Sequence, residues 1–247
     1  LAWRRHPSFP LARSAPGAPV RIAGLARVGL PAALIGMLFS AVYVAFVRAA
    51  SPLGQAAVAI IGVANRIEAV QFILSVSIGL AGATLLGQAL GAGKSERARQ
   101  VLRTAQRWAL AVSSCLTLLM LGAPAALLAM FTRDPALIAV GVPYLRILSL
   151  SVVAAGVEIA TAESIIGSGH TRTISLIYTV FSLARIPLAF LVPHWGGAGV
   201  LGIAWLISIT CVLRAAVMVG WAGRGTWQIG LARELGGAPP PEAGATG

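Results

Sequence analysis

The sequence predicts an all-α, polytopic membrane protein with six transmembrane helices. Of its 247 residues, 57% are hydrophobic and only 11% are charged, and the mean hydropathy is +0.86. A soluble domain has about a quarter of its residues charged. Lipid cannot satisfy open backbone groups, so the spans must be helices or the strands of a closed barrel. The apolar runs are long and do not alternate with polar residues, which favours helices.

The residues behind the formal net charge of +12 are distributed as in a membrane protein rather than as in a nucleic-acid interface. Basic residues precede the first apolar run and follow the second, fourth and sixth runs, so a six-span bundle places them on one side. These residues are Arg4, Arg5, Arg13, Arg21, Arg27, Lys94, Arg97, Arg99, Arg103, Arg107, Arg172, Arg224 and Arg233. The other side carries Arg48 and the Arg133–Asp134 pair. The pattern predicts a lipid bilayer as partner, no nucleic acid, and both termini in the cytoplasm.

The composition divides the chain into three regions. Residues 1–24 are rich in Pro, Arg, Ser and Gly, which predicts a basic flexible linker. This stretch has no apolar run of its own, so it does not resemble a secretory signal peptide. Residues 25–230 hold the six-helix transmembrane lobe. Residues 231–247 are rich in Gly, Pro and Ala, which predicts a disordered tail.

Proline and glycine bound the first three spans. Span one is predicted over residues 28–50, with Pro31 in its first turn, where a missing N–H costs little. After a Ser-Pro-Leu-Gly turn, span two covers residues 55–90 and ends in Gly-Ala-Gly. It is longer than the roughly 20 residues that a bilayer requires, so we expect a tilted or protruding helix. A basic loop then leads to span three, over residues 107–130.

The last three spans are separated by two short turns. Span four is predicted over residues 136–166, and Asp134 before Pro135 can cap its first turn. A Gly-Ser-Gly sequence ends it. Span five covers residues 173–192, and after a Pro-His-Trp-Gly-Gly turn span six covers residues 199–221.

Span two has a polar face that contains an ionisable residue. Such a residue within a span is a functional candidate, because its insertion costs about 2.5–3.5 kcal/mol. At 100° per residue, Glu68 shares one third of the helix circumference with other polar or small residues. They are Asn65, Gln71, Ser75, Gly79 and Gly82. We expect Glu68, Asn65, Gln71 and Ser75 to face a cavity that binds substrate or ion. The alternative is that Glu68 only bonds to a neighbouring helix or pairs with an arginine.

Span four adds Glu158 and Glu163, which lie five residues apart and therefore do not form one paired site. Glu158 shares a face with Thr161, about 12 Å from the cytoplasmic end. These two residues are candidates for the same cavity, although Glu158 could equally contact a neighbouring helix. Glu163 is expected near the interface, within reach of water. We interpret Arg185 and Arg214 as snorkelling anchors or as partners between helices.

No pattern in the sequence indicates an enzyme or a resident metal. Cys115 and Cys211 lie in apolar spans and are interpreted as small core residues, without metal-ligand spacing. There is no paired-histidine motif and no Gly-x-Ser-x-Gly. A Gly-Ala-Gly-Lys-Ser stretch lacks the spacing and the preceding strand of a phosphate-binding loop. We therefore predict that the protein is not an enzyme and holds no cofactor or metal.

Several motifs, in this order and spacing, resemble one family. Residues 85–93, with Glu96-Arg97-Ala98 after them, resemble the end of the second helix of a lobe in multidrug and toxic compound extrusion (MATE) transporters. Residues 167–171, Gly-Ser-Gly-His-Thr, resemble that family's Gly-x-Gly-Asp-Thr turn, with His170 in place of Asp. Arg185-Ile186-Pro187 resembles its Arg-Ile-Pro segment. The resemblance covers about residues 25–227.

The resemblance implies the second, C-terminal lobe of a transporter built from two six-helix lobes. The family exports drugs and other organic cations in antiport with protons or sodium. The chain would thus be a secondary active transporter, as a half or a fragment, with H⁺ or Na⁺ as coupling ion. Its partners would be organic cations and either the missing N-terminal lobe or a second copy of the chain. Glu68 matches an acidic position of the lobe's second helix, and Glu158 and Glu163 lie on the helix that carries coupling residues in some members.

Two other functions fit the same sequence. A flippase for lipid-linked saccharides, from the same superfamily, would keep the fold and change the cargo. A wide basic cavity would favour that flippase, whereas a cavity-facing Glu68 favours drug export. A non-transporting remnant or interaction subunit would fit a single lobe. The preference for Arg over Lys is typical of a GC-rich bacterial genome, so we expect a multi-pass protein of the bacterial inner membrane.

Overall fold

A computed structural model describes residues 22–166 and 171–228 of the chain. Within these ranges the chain is helical and contains no strand, which confirms the all-α fold. The α-helices are α1 (Ile22–Ala50), α2 (Gln55–Gly91), α3 (Ser95–Gly122), α4 (Pro124–Ala129), α5 (Pro135–Ile166), α6 (Thr171–Leu191) and α7 (Gly199–Gly223). Short 3-10 helices cover Ser51–Leu53, Val192–Gly197 and Thr226–Gln228. Most of the predicted linker, the turn that contains His170 and the predicted tail lie outside the described residues.

Five of these helices are long and apolar enough to cross a membrane. The candidate membrane spans are Gly36–Leu53, Gln55–Gly91, Pro135–Ile166, Thr171–Leu191 and Gly199–Gly223. Each matches a predicted span, and the bounds of α2 agree with the prediction to one residue. At 37 residues, α2 is about 55 Å long, so it must tilt or protrude from a bilayer whose apolar core is about 30 Å thick.

The helix α3 differs from the prediction at both ends. The basic segment predicted as a loop is helical, so α3 begins at Ser95 rather than near Arg107. Arginine, glutamine, alanine and leucine are good helix formers, and Glu96 stabilises the positive end of the helix dipole. The predicted third span is also broken, because Pro124 lacks the N–H that would continue the helix and begins α4 instead. The first half of α3 is charged, which explains why this helix is not among the five apolar spans.

A glycine turn joins α2 to α3. Gly93 has a φ of +70°, a left-handed conformation that favours glycine. The N–H of Gly93 donates to the carbonyl of Leu90 (2.9 Å) and the N–H of Lys94 donates to the carbonyl of Ala89 (2.8 Å). These two hydrogen bonds form a Schellman motif, which satisfies the last carbonyls of α2. The turn fixes α2 and α3 as antiparallel neighbours.

The helix α5 lies at the centre of the bundle. Its most extensive contacts are with α2, α3 and α7, whereas α1 packs mainly on α6. Small residues allow the close approach: a Cβ at Gly79 or Gly82 of α2 would collide with α5, and a Cβ at Gly156 of α5 would collide with Ser113 of α3. Glycine at these three positions therefore serves helix packing.

Two apolar clusters lie at opposite ends of the bundle. The first includes Ile60, Ile61, Leu128, Leu145, Leu148 and Ile203. The second includes Leu86, Leu102, Ile165, Ile174, Met218 and Trp227. Buried polar residues occupy the intervening stretches of five helices, and we name them the polar layer. It consists of Gln71, Ser75, Ser113, Glu158, Thr161, Arg185, Thr210 and Arg214.

Candidate functional site

The polar layer is organised around an ion pair between α5 and α7. Arg214 Nε lies 2.6 Å from Glu158 Oε1, and the two side chains are 9% and 0% exposed. By helix rise, Glu158 lies about 12 Å from the end of α5 and Arg214 about 14 Å from the end of α7. The two residues meet at the same depth because α5 and α7 run in the same direction. Removing one partner of such a buried pair costs about 3–5 kcal/mol, since the other charge is left uncompensated.

Hydrogen bonding of this ion pair is incomplete. Arg214 and Tyr178 both interact with the Glu158 carboxylate, but neither gives its oxygens a hydrogen bond of good geometry. Buried carboxylates are normally satisfied by several donors. The Glu158 carboxylate therefore has fewer well-placed donors than a buried carboxylate normally has.

Tyr178 of α6 completes the surroundings of the pair. The guanidinium carbon of Arg214 lies 4.6 Å from the centre of the Tyr178 ring, which is a cation–π contact. Tyr178 also interacts electrostatically with Glu158. Three helices, α5, α6 and α7, thus meet at this one site.

A second arginine, Arg185, extends the polar layer along α6. Its Nε donates to Thr210 Oγ1 (2.7 Å), and its Nη2 donates to Cys211 Sγ (3.0 Å) and to the Ile207 carbonyl (3.4 Å). Its charge acts on both Glu158 and Glu68. Arg185 therefore attracts the acids of both α5 and α2, although Arg214 attracts Glu158 more strongly.

Glu68 lies at the edge of the polar layer rather than inside it. Its side chain is half-buried and forms no salt bridge with a described residue. It is attracted by Arg185 and interacts electrostatically with Tyr144 of α5. Glu68 is thus a carboxylate without a close counter-charge among the described side chains.

The other predicted residues of α2 are in different surroundings. Asn65 is half-buried, like Glu68. Gln71 and Ser75 are buried, and Gln71 Nε2 donates to Ser75 Oγ (3.0 Å). They lie where α2 contacts α5, since a Cβ at Gly156 would come within 2.8 Å of Gln71 Nε2. The structure therefore separates an accessible pair, Asn65 and Glu68, from a pair in a helix contact.

Thr161 and Glu163 lie one turn beyond Glu158. Thr161 Oγ1 donates to the Val157 carbonyl (2.6 Å) and accepts from Gln106 Nε2 of α3 (3.1 Å). Thr161 thus joins α5 to α3, whereas Glu158 points to α6 and α7. Glu163 is half-buried. The two α5 candidates, Glu158 and Thr161, lie one turn apart and contact different helices.

The sequence alone left two interpretations of Arg214 open, a snorkelling anchor or a partner between helices. The contact with Glu158 shows that Arg214 is a partner between helices. Arg185 is likewise a partner between helices. Tyr178 was not singled out, although it lies two turns before Arg185 on the same face of α6, a spacing that could have indicated it.

Neither cysteine nor acidic residues form a metal centre in the part of the chain that the structure describes. No group of three His, Cys, Asp or Glu residues lies together there. Cys211 is buried, as expected, but Cys115 is exposed on the surface of α3. The absence of a resident metal or cofactor stays a prediction.

Comparison with known proteins identifies the family. The sequence profile of the MatE family matches residues 31–191, well over half of the chain. The chain belongs to the MatE family. This result confirms the resemblance found in the motifs, and the family match covers the helices that carry Glu68, Glu158 and Arg185.

Curated relatives of this MatE chain are bacterial multidrug resistance proteins. A probable multidrug resistance protein NorM of Thermotoga maritima is 27% identical over 207 residues, which are 82% of this chain and 44% of NorM. The multidrug resistance protein MdtK of Pectobacterium atrosepticum is 29% identical over 208 residues, 78% of this chain and 43% of MdtK. The chain spans about half the length of the curated relatives that it matches.

Solved structures agree with the fold. A MATE transporter in complex with MaD5 has a TM-score of 0.72 at 18% identity, over 90% of this chain and 49% of that one. A MOP superfamily transporter from Pyrococcus furiosus, described as having a binding pocket of reversed polarity, has a TM-score of 0.71 at 18% identity, over 79% of this chain and 43% of that one. The chain is therefore a multi-pass membrane protein with the fold of one lobe of a MATE transporter, from a family of transporters rather than enzymes.

Proposed function

We propose that this chain is the C-terminal lobe of a secondary active transporter that exports organic cations in antiport with protons or sodium. The observation that carries the proposal is the Glu158 carboxylate, which is fully buried and lies 2.6 Å from Arg214. We place the transporter in the bacterial inner membrane with both termini in the cytoplasm, as the charge pattern favours.

Glu158 is the coupling carboxylate in this proposal. Its charge has been removed from water and is balanced mainly by Arg214. A proton or sodium ion on Glu158 would neutralise that charge and weaken its attraction for Arg214. Because this attraction joins α5 to α7, ion binding changes the relative stability of two packings of these helices.

Glu68 is the substrate-binding carboxylate. An organic cation requires a negative charge beside an apolar surface. Glu68 offers a half-buried carboxylate without a close counter-charge, and Val70, Phe72 and Ile73, next along α2, are exposed. Asn65, one turn away, would add a polar contact. The charge of Arg185 then connects the occupancy of Glu68 with the state of Glu158.

A second lobe completes the transport path. The chain matches less than half of the length of each curated relative. The helix α2 also exposes apolar residues along much of its own length. The N-terminal lobe of the same protein, or a second copy of this chain, would face these residues. Rocking of the two lobes about a site between them would alternate access to the two sides of the membrane.

The comparisons support drug export over the saccharide flippase, because the curated relatives are named as multidrug resistance proteins. The interior of the lobe is also mixed in charge rather than uniformly basic, with two acids beside two arginines. A non-transporting remnant remains the main rival, and only a transport measurement separates it from a working lobe.

The experiment is ethidium transport in inverted membrane vesicles from an efflux-deficient bacterium that expresses the protein containing this chain. Transport is measured with a proton gradient and with a sodium gradient. We expect Glu68→Gln to abolish ethidium transport. We expect Glu158→Gln to remove the acceleration of ethidium transport by the proton or sodium gradient. Glu163→Gln, the same change on the same helix, is the matched control and should retain most of the transport.

Three results would contradict the proposal. Parental transport in the Glu68→Gln variant removes Glu68 from substrate binding. Unchanged acceleration in the Glu158→Gln variant removes Glu158 from coupling. If the unsubstituted protein is present in the membrane but transports no ethidium with either gradient, the non-transporting rival gains support and cation export loses it.

A further inference from the structure

A groove on the surface of the bundle lies apart from the polar layer. It runs between α2 and α3 and has a volume of about 550 Å³. Apolar residues line most of it, and polar residues line the end near the α2–α3 turn. The residues that define it are Ile78, Leu85, Arg97, Gln100, Thr104 and Trp108.

The groove has the length of one membrane leaflet. Its α3 residues recur every three or four positions, so they form one stripe along the helix. From Arg97 to Trp108 the helix rises about 16 Å. One leaflet of the apolar bilayer core is about 15 Å thick. Trp108 therefore lies about 16 Å from Arg97 along α3, on the membrane side of the exposed Arg103 and Arg107.

The polar end of the groove is strongly basic. Arg97 lies close in sequence to Lys94 and Arg99 at the start of α3, whereas Arg103 and Arg107 line a second groove. The acid in this stretch is Glu96, which lies 3.8 Å from Arg99. Arg97 is exposed and forms no salt bridge with a described residue. Its charge is available to a ligand.

We propose that this groove binds one anionic glycerophospholipid. The headgroup phosphate would contact Arg97, with Gln100 and Thr104 able to hydrogen-bond to it or to the glycerol. One acyl chain would lie along Ile78 and Leu85 as far as Trp108. A basic recess between helices at the membrane surface matches this chemistry. The inference does not depend on the transport proposal.

A phospholipid fits the groove better than another protein surface does. A second lobe or a second copy would have to present an acidic end and a 16 Å apolar ridge. A phospholipid has an anionic headgroup and an apolar chain in that order. The positive-inside pattern also places the basic end on the side of the membrane where anionic lipid attracts basic residues.

Tryptophan fluorescence tests the proposal. The full chain is reconstituted in vesicles that contain phosphatidylglycerol or phosphatidylcholine with brominated acyl chains, since bromine quenches nearby tryptophan. The side chain of Trp108 is 63% exposed, and the difference from a Trp108→Phe variant isolates its signal. We expect brominated phosphatidylglycerol to quench Trp108 more strongly than brominated phosphatidylcholine at equal mole fraction.

Three variants make the test specific. Arg97→Gln should lower the preference for phosphatidylglycerol about fivefold, because one arginine near an anionic surface contributes about that factor. Ala81→Phe, which fills the groove from α2, should lower quenching by both lipids. Arg103→Gln is the matched control, since it removes the same charge from the same helix but faces a second groove beside α5. It should keep the preference.

Several results would overturn the proposal. Equal quenching by the two lipids shows that the groove does not select anionic headgroups. An equal loss of preference in Arg97→Gln and Arg103→Gln shows general attraction to a basic surface. An absence of quenching by either lipid shows that protein, such as another lobe or a second copy, covers Trp108.

Discussion

Arg185 on α6 donates through Nε to the hydroxyl oxygen of Thr210 on α7, 2.7 Å away. This hydrogen bond joins α6 to α7. Thr210 Oγ1 is itself held by its own helix, since it donates to the Leu206 carbonyl (2.6 Å). The guanidinium is therefore fixed in one orientation, from which its charge acts on the acids of α2 and α5.

Arg185→Lys should destabilise the lobe although it keeps the charge. Lysine cannot reproduce the separate Nε and Nη2 donors that contact Thr210, Cys211 and Ile207. A lost hydrogen bond to a charged group costs about 1.5–3 kcal/mol. The measurement is the midpoint of thermal unfolding in detergent. Arg146→Lys, at an exposed position of α5, should leave the midpoint unchanged. Equal midpoints for the two variants would show that Arg185 acts only as a charge.

Removing one member of the Glu158–Arg214 pair should be worse than removing both. Arg214→Gln leaves a buried carboxylate without compensation, at a cost of about 3–5 kcal/mol. The double variant Glu158→Gln, Arg214→Gln carries no such charge and should recover much of the loss. A double-mutant cycle of unfolding midpoints gives the coupling between the two residues. Additive losses would mean that the 2.6 Å contact does not stabilise the folded lobe.

Gly156→Ala should destabilise the contact between α5 and α3. The added Cβ would collide with Ser113 Oγ and lie 2.9 Å from Ser113 Cβ. Overpacking of this kind costs about 1–3 kcal/mol. The matched control is Gly62→Ala on α2, where no atom lies within 4 Å and the better helix former should stabilise by about 0.5–1 kcal/mol. Adding Ser113→Gly to Gly156→Ala should restore part of the stability, because Gln71 Nε2 still lies within 2.8 Å of the added Cβ. No recovery at all would place the strain elsewhere.

The orientation in the membrane can be read from two exposed basic residues. Lys94 precedes α3, and Arg133 precedes α5, at opposite ends of the bundle. In a background with Cys115→Ala and Cys211→Ser, we expect a membrane-impermeant maleimide to label Arg133→Cys on intact cells. Lys94→Cys should be labelled only after the membrane is opened. The reverse labelling would invert the proposed topology.

The helices could be predicted where the apolar pattern was uniform. The bounds of α2 follow from an apolar run that begins after Gly54 and ends in the glycines before Lys94. The start of α3 was missed because charge was taken as a sign of a loop, whereas the stripe from Arg97 to Trp108 has helical spacing. The break between α3 and α4 could have been found from Pro124 alone.

The site could be predicted residue by residue but not as an arrangement. A carboxylate in a span indicates a function or a partner whatever its surroundings, so Glu68 and Glu158 could be predicted as candidates. The pairing of Glu158 with Arg214 joins residues 56 positions apart. No spacing rule within one helix can specify such a contact, because it depends on how α5 and α7 pack. The same holds for Gln71 and Ser75, whose burial depends on Gly156 of another helix.

The polar layer and its edge also determine how the lobe responds to voltage. With Glu68 and Glu158 charged, they balance Arg185 and Arg214, so these four residues carry no net charge and the membrane potential exerts no net force on them. One proton or sodium ion on either acid gives the group a charge of +1. Moving one such charge across the whole membrane involves about 2.3 kcal/mol per 100 mV. The lobe would thus become sensitive to membrane potential only when a coupling ion or a cationic substrate is bound, and an electrical gradient would exert no net force on these four residues in the empty lobe.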